Sequence, residues 1–344
     1  MPSVRLPKIS IVMPVLNREN TIEKAILSVL DQQYPDIELV IIDGGSSDKT
    51  LDIIKRYEKQ IAYWHSKPDG SNAVAANLGI EMASGELVAL LMADDWYEAE
   101  TLHKIGQAYQ RCPDADMFTC GGRIVYWDEK SQCYKARHVY SGARRMELAV
   151  TNICFDVAAA ICCRFVKKSL FQKIGSFQPF DAQGRHMFSN DKEFLLRALL
   201  HRAKNVYVDY VGHNYLASKE SSTFGNHQEN ILRLCHEHMT LAERFLRQPA
   251  LDSRLRILFR YWYNDQAARL VMYHLLDRQW RAARNVARYA IKQSGWRWAA
   301  AFCLTAGKIM LRKCFRILRR ACYGVCGKDP HALVVSAHSV SLPK

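Results

Sequence analysis

Two adjacent carboxylates, Asp94 and Asp95, follow directly on the apolar run Leu87–Ala93. At the tip of a buried strand such a pair repels itself unless a cation or hydrogen bonds compensate. Oxygen ligands of this kind suit Mg²⁺ or Mn²⁺, and such an ion in turn clamps a diphosphate. The competing structural use is an N-cap for a helix starting at Glu98, which would employ only one of the two. Asp43 ends another apolar run and leads into Gly44-Gly45-Ser46-Ser47-Asp48. Glycines there let the backbone approach a ligand, and Asp43 could accept a hydrogen bond from a nucleobase or ribose. A plain strand-to-helix turn capped by Asp48 would use the same residues. No lysine follows at P-loop spacing, so that phosphate cradle is excluded. Asp191, in Ser189-Asn190-Asp191-Lys192-Glu193, stands where a helical pattern begins, a place that favours a carboxylate on helix-dipole grounds alone. The histidines show no ligand-like spacing; His236 and His238 would face different sides of a helix.

Positioning these groups requires a particular order of elements. Ile9–Met13, Glu38–Ile42, Ile61–His65 and Glu86–Leu91 read as strands, and Glu19–Asp31, Asp48–Gln60, Asn72–Ala83 and Glu98–Cys112 as the helices between them. Such alternation predicts a mostly parallel sheet covered on both faces, with ligands bound beyond the carboxyl ends of the strands. The polar clusters fall at those ends. Residues 116–140 read as a strand pair turning at Asp128–Ser131, Phe165–Gly175 as a short helix, Phe188–Ala203 as a helix and Asn205–Val211 as a strand. From Asn226 the periodicity is helical almost to Val325, broken near Gln248-Pro249 and Ser294-Gly295, and residues 331–344 read as a frayed tail.

The chain has 344 residues, 49% of them apolar and 24% charged, a globular balance that excludes wholesale disorder. No uncharged apolar run approaches the ~18–20 residues of a spanning helix. Ile9–Leu16 contains Pro14 and has no small-residue cleavage site after it, so it reads as a first core strand and not as a signal peptide. The eleven cysteines are odd in number and lack a Cys-x-x-Cys pair, which argues for reduced thiols and against a disulfide framework or zinc site.

The motifs acquire specificity as a set. Ile9-Ser-Ile-Val-Met-Pro-Val-Leu-Asn-Arg, Val40-Ile-Ile-Asp-Gly-Gly-Ser-Ser-Asp-Lys-Thr, Asp69-Gly-Ser-Asn-Ala-Val-Ala-Ala-Asn-Leu-Gly and Ala93-Asp-Asp-Trp-Tyr occur in that order. The chain resembles the family-2 glycosyltransferases, inverting enzymes of the GT-A fold, densely over residues 8–128 and more thinly to about 225. The resemblance implies a GT-A catalytic domain over residues 1–225 and a transfer from a nucleotide-diphosphate sugar, most readily a UDP-sugar. It implies that Asp43 contacts the nucleobase, that Asp94 and Asp95 bind ribose and, through Mg²⁺ or Mn²⁺ on Asp95, the diphosphate, and that Asp191 is the general base. Pro14, Asn17, Arg18 and Asp69 match positions lining the nucleotide pocket, and Ser221-Ser222-Thr223 a segment that closes near the diphosphate. Two positions depart from the family pattern. Met92 stands where many relatives carry a carboxylate or Asn, and Leu16 where many carry an aromatic. Met92 keeps a catalytically impaired, membrane-associated relative as an alternative. A nucleotidyltransferase would need a glycine-rich basic loop where Pro14-Val15-Leu16-Asn17 stands.

The net charge of +14 is concentrated: thirteen basic residues and no acidic one lie between Arg278 and Lys328. Arg278, Arg281, Arg284, Arg288 and Lys292 recur at helical spacing, as do Lys308, Arg312, Lys313, Arg316, Arg319 and Arg320 opposite an apolar face, with Trp280, Trp296, Trp298 and Phe302 nearby. A basic amphipathic helix with Trp suits an anionic membrane surface. A terminal helix with a solvated basic face would look similar, and no nucleic-acid module accompanies the charge. Residues 226–330 are therefore expected to be a helical region with membrane-surface helices at 278–328. This places the protein in the cytoplasm on the inner face of the cell membrane, close to a glycan or lipid-linked acceptor.

Overall fold

The computed structural model describes residues 5–155, 161–181, 183–218, 228–295 and 297–307. The chain forms two compact units, Met1–Phe224 and Gly225–Lys344.

The first unit is built on a nine-stranded sheet. Its strands are β1 (Ile9–Val15), β2 (Ile37–Asp43), β3 (Tyr63–Ser66), β4 (Leu87–Leu90), β5 (Trp96–Tyr97), β6 (Met117–Asp128), β7 (Cys133–Tyr140), β8 (Arg164–Lys167) and β9 (Asn205–Leu216). They run in the order β3-β2-β1-β4-β8-β6-β9-β5, with β7 paired to β6. From β3 to β4 every pairing is parallel, so the carboxyl ends of these strands share one edge. β1 lies between β2 and β4 although it precedes both, which makes that edge a switch point suited to a ligand. Beyond β4 the sheet is mixed: β8 is antiparallel to both β4 and β6, β6 is parallel to β9, and β5 is antiparallel to β9.

β1 and β4 are buried throughout, β4 as an unbroken apolar run and β1 as one interrupted by Ser10, whose hydroxyl donates to Glu38. Helices α1 (Ile22–Leu30), α2 (Thr50–Arg56), α3 (Asn72–Met82) and α4 (Thr101–Arg111) follow the early strands as expected, each with ends trimmed by up to four residues. α3 approaches the sheet closely because of Gly79: a Cβ there would lie 2.2 Å from Val12 Cγ1. Short helices α5 (Ala143–Met146) and α6 (Val150–Phe155) precede β8, and α7 (Lys168–Ile174) and α8 (Asn190–Leu200) follow it.

Two expectations need correction. The stretch Phe165–Gly175 is not helical from its start: Arg164–Lys167 is a central strand and the helix begins at Lys168. The last strand runs on past Val211 to Leu216, passing two irregularities opposite Gly121 and Gly122.

The second unit contains α9 (Gln228–Leu246), α10 (Ser253–Leu276), α11 (Trp280–Ser294) and a helical stretch at 297–307. Asp252 caps α10 through the N–H groups of Arg254 and Leu255. α10 is the core helix, with Phe259, Trp262 and Tyr263 buried and Phe259 stacked on Phe245 of α9 at 5.3 Å. The exposed face of α11 carries Arg281, Arg284, Arg288 and Lys292. Arg278 precedes the helix, and Trp298 is buried against Phe302, so neither belongs to that face. Trp296, the basic pattern from Lys308 to Arg320, the Ser221–Thr223 segment and the 331–344 tail lie outside the described residues. Among the described residues no helix is long and apolar enough to cross a membrane.

Candidate functional site

The loops after β1, β2 and β3 are tied together by side chains predicted from the sequence. Pro14 is buried in β1, in register with Ile42. The chain then turns through exposed Leu16 and Asn17, the latter at φ 52°. The Asn17 N–H donates to Ser46 Oγ at 2.7 Å and its Oδ1 accepts from the Ser47 N–H at 2.8 Å. Asp43 is fully buried. Its Oδ2 accepts from the N–H groups of Gly45 (3.1 Å) and Ser46 (2.9 Å) and from Ser66 Oγ (2.7 Å), while Oδ1 accepts from Ser46 Oγ. The carboxylate thus organises the loop from within. Asp69 packs across Gly44, where a Cβ would lie 3.1 Å from both carboxylate oxygens. Burial, reinforced by the charge of Asp43, raises the Asp69 pKa.

The acidic pair splits into two environments. Asp94 remains partly exposed, with Arg18 Nε 3.7 Å from its Oδ2. Burial first, and then the adjacent Asp95, push the Asp94 carboxyl up to about 6, while Arg18 opposes the shift. Asp95 points inward and is 1% exposed. Its Oδ1 accepts from the Leu216 N–H at 3.0 Å, and its Oδ2 lies 3.2 Å from Nε2 of the wholly buried His213. The two atoms form a buried pair, and neither has a further hydrogen-bond partner among the described residues. Nδ1 of His213 lies 3.3 Å from Tyr140 Oη. Burial works against a charged imidazole here, but contacts with Cys163 and Asp95 raise its pKa to about 10. α4 begins at Thr101, so neither Asp caps it.

Asp191 occupies the first turn of α8, its Oδ1 accepting from the Lys192 N–H at 2.7 Å, and burial raises its pKa. The helix is held firmly. Glu193, fully buried, pairs with Arg197, whose guanidinium also donates to the carbonyls of Ile174, Gly175 and Ser176. Phe194 stacks on Phe171 at 4.8 Å.

Cys162, in the turn before β8, connects the two acidic groups. Its thiol pKa is raised first by burial and then by the charges of Asp95, Cys163, Asp191 and Asp94. Cys162 Sγ, Asp95 Oδ2 and His213 Nε2 all lie within 4.8 Å of one another. Carboxylate, imidazole and thiol are donor types that can hold a divalent cation. Cys162 and His213 were not anticipated. The three donors come from separate segments, so no local spacing announces them, and His213 falls past the point where the apolar pattern of its strand ends.

Residues 10–175 match the family model of glycosyl transferase family 2, and this stretch of the chain belongs to that family. TuaG of Bacillus subtilis, provisionally named a teichuronic acid biosynthesis glycosyltransferase, is 38% identical over 101 residues, 28% of this chain and 40% of TuaG. The chain spans about half the length of the curated relatives it matches, between 42% and 62% for the first three. Among solved structures, Staphylococcus aureus TarS 1–349 in complex with UDP-GlcNAc gives a TM-score of 0.51 at 15% identity, covering 87% of this chain and 88% of that one. The Pyrobaculum calidifontis mannosyltransferase PcManGT in complex with GDP-Man and Mn²⁺ gives 0.56 at 14% identity, covering 89% and 81%. At these identities the likeness is one of fold, and the fold is GT-A.

Proposed function

We propose that the protein is an inverting glycosyltransferase that moves a hexosyl or N-acetylhexosaminyl group from a nucleotide-diphosphate sugar, a UDP-sugar by preference, to a hydroxyl of a glycan or lipid-linked acceptor. The carrying observation is the placing of Asp94 and Asp95 just after β4, on the same strand edge of the sheet from which the Asp43–Asp48 loop leaves β2. Support comes from the family match, from the UDP-GlcNAc and GDP-Man bound by the two structural neighbours, and from the polysaccharide role in the name of TuaG. Catalysis is assigned to residues 1–225.

In this reading Pro14, Asn17, Asp43 and Asp69 shape the nucleotide pocket, and Arg18 with Asp94 borders the ribose and diphosphate. The transfer is one displacement: the acceptor oxygen bonds to the anomeric carbon as the bond to the diphosphate breaks. Asp191 takes the hydroxyl proton, and its burial-raised pKa moves it toward the range that suits a general base. A divalent ion, Mg²⁺ or Mn²⁺, held at Asp95 would neutralise charge on the leaving diphosphate. The anionic membrane surface is met by the basic helical region from residue 278 onward, at the cytoplasmic face, where a lipid-linked acceptor would lie.

The test is turnover of a UDP-sugar panel with NMR of the product's anomeric configuration. Inversion is expected, and Asp191→Asn should abolish transfer while nucleotide binding stays within a few-fold. Retention of configuration, or full activity of Asp191→Asn, would overturn the reading.

A further inference from the structure

The hairpin of β6 and β7 outgrows the sheet. β6 pairs with β9 as far as Val125, opposite Leu216, and beyond that point its one strand neighbour among the described residues is β7. Trp127 and Tyr134 face each other across this projecting arm, their ring centroids 5.0 Å apart in a T-shaped contact. A cross-strand aromatic pair is an ordinary way to stabilise a hairpin and by itself calls for nothing more. Two further groups join it from other elements. Trp96 of β5 lies 4.8 Å from Tyr134, and Lys24 of α1 sets its ammonium 3.2 Å from the Trp96 ring centre and 3.7 Å from that of Tyr134. Burial, opposed by the charge of Glu98, lowers the Lys24 pKa to about 8, so the ammonium is charged at neutral pH. Glu98 itself is engaged by Asn214 at 2.8 Å and Arg123 at 3.8 Å, and Lys24 has no ion pair among the described residues. Asp128 accepts from Ser131 Oγ and Lys135 Nζ and so ties the tip of the arm, where Trp127 and Tyr134 stand 42% and 37% exposed.

We propose that Trp96, Tyr134 and Trp127 with Lys24 form an acceptor subsite for an acidic glycan, the rings stacking on sugar faces and the ammonium pairing with a uronic-acid carboxylate. This rests on the transferase reading and names the class of acceptor. The C–H bonds on one face of a pyranose carry partial positive charge and meet the negative face of an aromatic ring. Trp and Tyr held on a tied hairpin offer such faces at small ordering cost. The cation among them lacks a carboxylate of its own, and a carboxylated sugar supplies one. Affinity then belongs to the rings and discrimination to Lys24. The place suits an acceptor: Trp96 directly follows Asp95, so its Cα lies within about 8 Å of that of Asp94. Arg18 before α1 and Lys24 within it both reach this stretch.

The experiment is a titration of the full-length protein, followed by tryptophan fluorescence, with hexamers of galacturonic acid, mannuronic acid and glucose. At least one uronate hexamer should bind, and the neutral glucose hexamer at least about tenfold more weakly. Trp127→Ala should weaken uronate binding at least about tenfold. Its binding of polyglutamate, a polyanion without sugar rings that the basic face of α11 can meet, should not change. Lys24→Met should bring the acidic and neutral hexamers within about twofold of each other. Trp127 is exposed, so its truncation opens no core cavity; Tyr134→Ser on the opposite strand is a second variant expected to act in the same direction, and melting temperatures report folding. Failure of both uronates to bind, equal binding of the glucose hexamer, or uronate binding unchanged in Trp127→Ala and Tyr134→Ser would overturn the subsite. Stabilisation of the wild type by UDP, measured alongside, separates the two readings. A UDP response without uronate binding strikes the subsite alone, and no response to any nucleotide strikes the transferase reading and the subsite with it.

Discussion

The Asp94 carboxyl, pushed up to about 6 by burial and by its neighbour Asp95, links the site to stability. Its folded pKa lies above that of an unfolded Asp, so the native chain holds the proton more tightly than the unfolded chain. Stability of the metal-free protein should therefore fall as pH rises from about 4 to 6. Above that window the penalty, ~2–3 kcal/mol, is fully present. Asp94→Asn should recover that stability at pH 7.5 and flatten the slope, read by urea unfolding across pH. A slope that persists in the variant would place its origin elsewhere. The same logic at Asp191, whose pKa is raised by burial, predicts that the transfer rate climbs with pH through a limb above the ordinary carboxylate range. That limb should be absent from the residual activity of Asp191→Asn. These aspartates were legible because their type and place at strand and helix ends are visible in one dimension. Cys162 and His213 were not, because their chemistry arises only when three distant segments meet.

Helix α8 illustrates how an element positions a residue without touching chemistry. Glu193 has no exposed surface, and Arg197 both neutralises it and holds the carbonyls of the preceding loop. Arg197→Met should destabilise the fold by about 3–5 kcal/mol, because a buried carboxylate loses its charged partner and three loop carbonyls lose their donor. Replacing Glu193 and Arg197 together by apolar residues should cost less, which denaturant unfolding of the single and double variants would reveal. Gly79→Ala in α3 should cost about 1–3 kcal/mol by overpacking against Val12. The alternation of strands and helices up to α4 could be read directly from apolar periodicity. The later strands could not. β8 is four residues long with the buried Arg164 at its head, held by Thr119, Asn205 and the Met146 carbonyl, so its charge disguises it. β9 runs on through Gly212-His213-Asn214, polar residues whose partners, among them Glu98 and Tyr140, lie on other strands and turns.

Across the whole molecule, the +14 charge is carried by the C-terminal region. α11 presents Arg281, Arg284, Arg288 and Lys292 without a carboxylate partner among the described residues, and Trp280 beside them is 65% exposed. Trp280, Arg281, Arg284, Asn285 and Arg288 line one shallow groove. If this face meets anionic lipid, Arg284→Glu with Arg288→Glu should weaken co-sedimentation with phosphatidylglycerol vesicles by at least ~1 kcal/mol per residue. Binding to neutral vesicles and to nucleotide should be unchanged; undiminished sedimentation of the double variant would exclude the surface. The reading of the protein as a nucleotide-sugar transferase is tested most directly by nucleotide binding itself. Melting temperatures would be compared with UDP, dTDP, GDP and CDP, each with and without a divalent ion, for wild type and Asp95→Asn. One nucleotide at 100 times its Kd should stabilise the wild type by about 2.7 kcal/mol, with UDP foremost and the metal-dependent part lost in Asp95→Asn. Indifference to all four nucleotides, with and without metal, would contradict it.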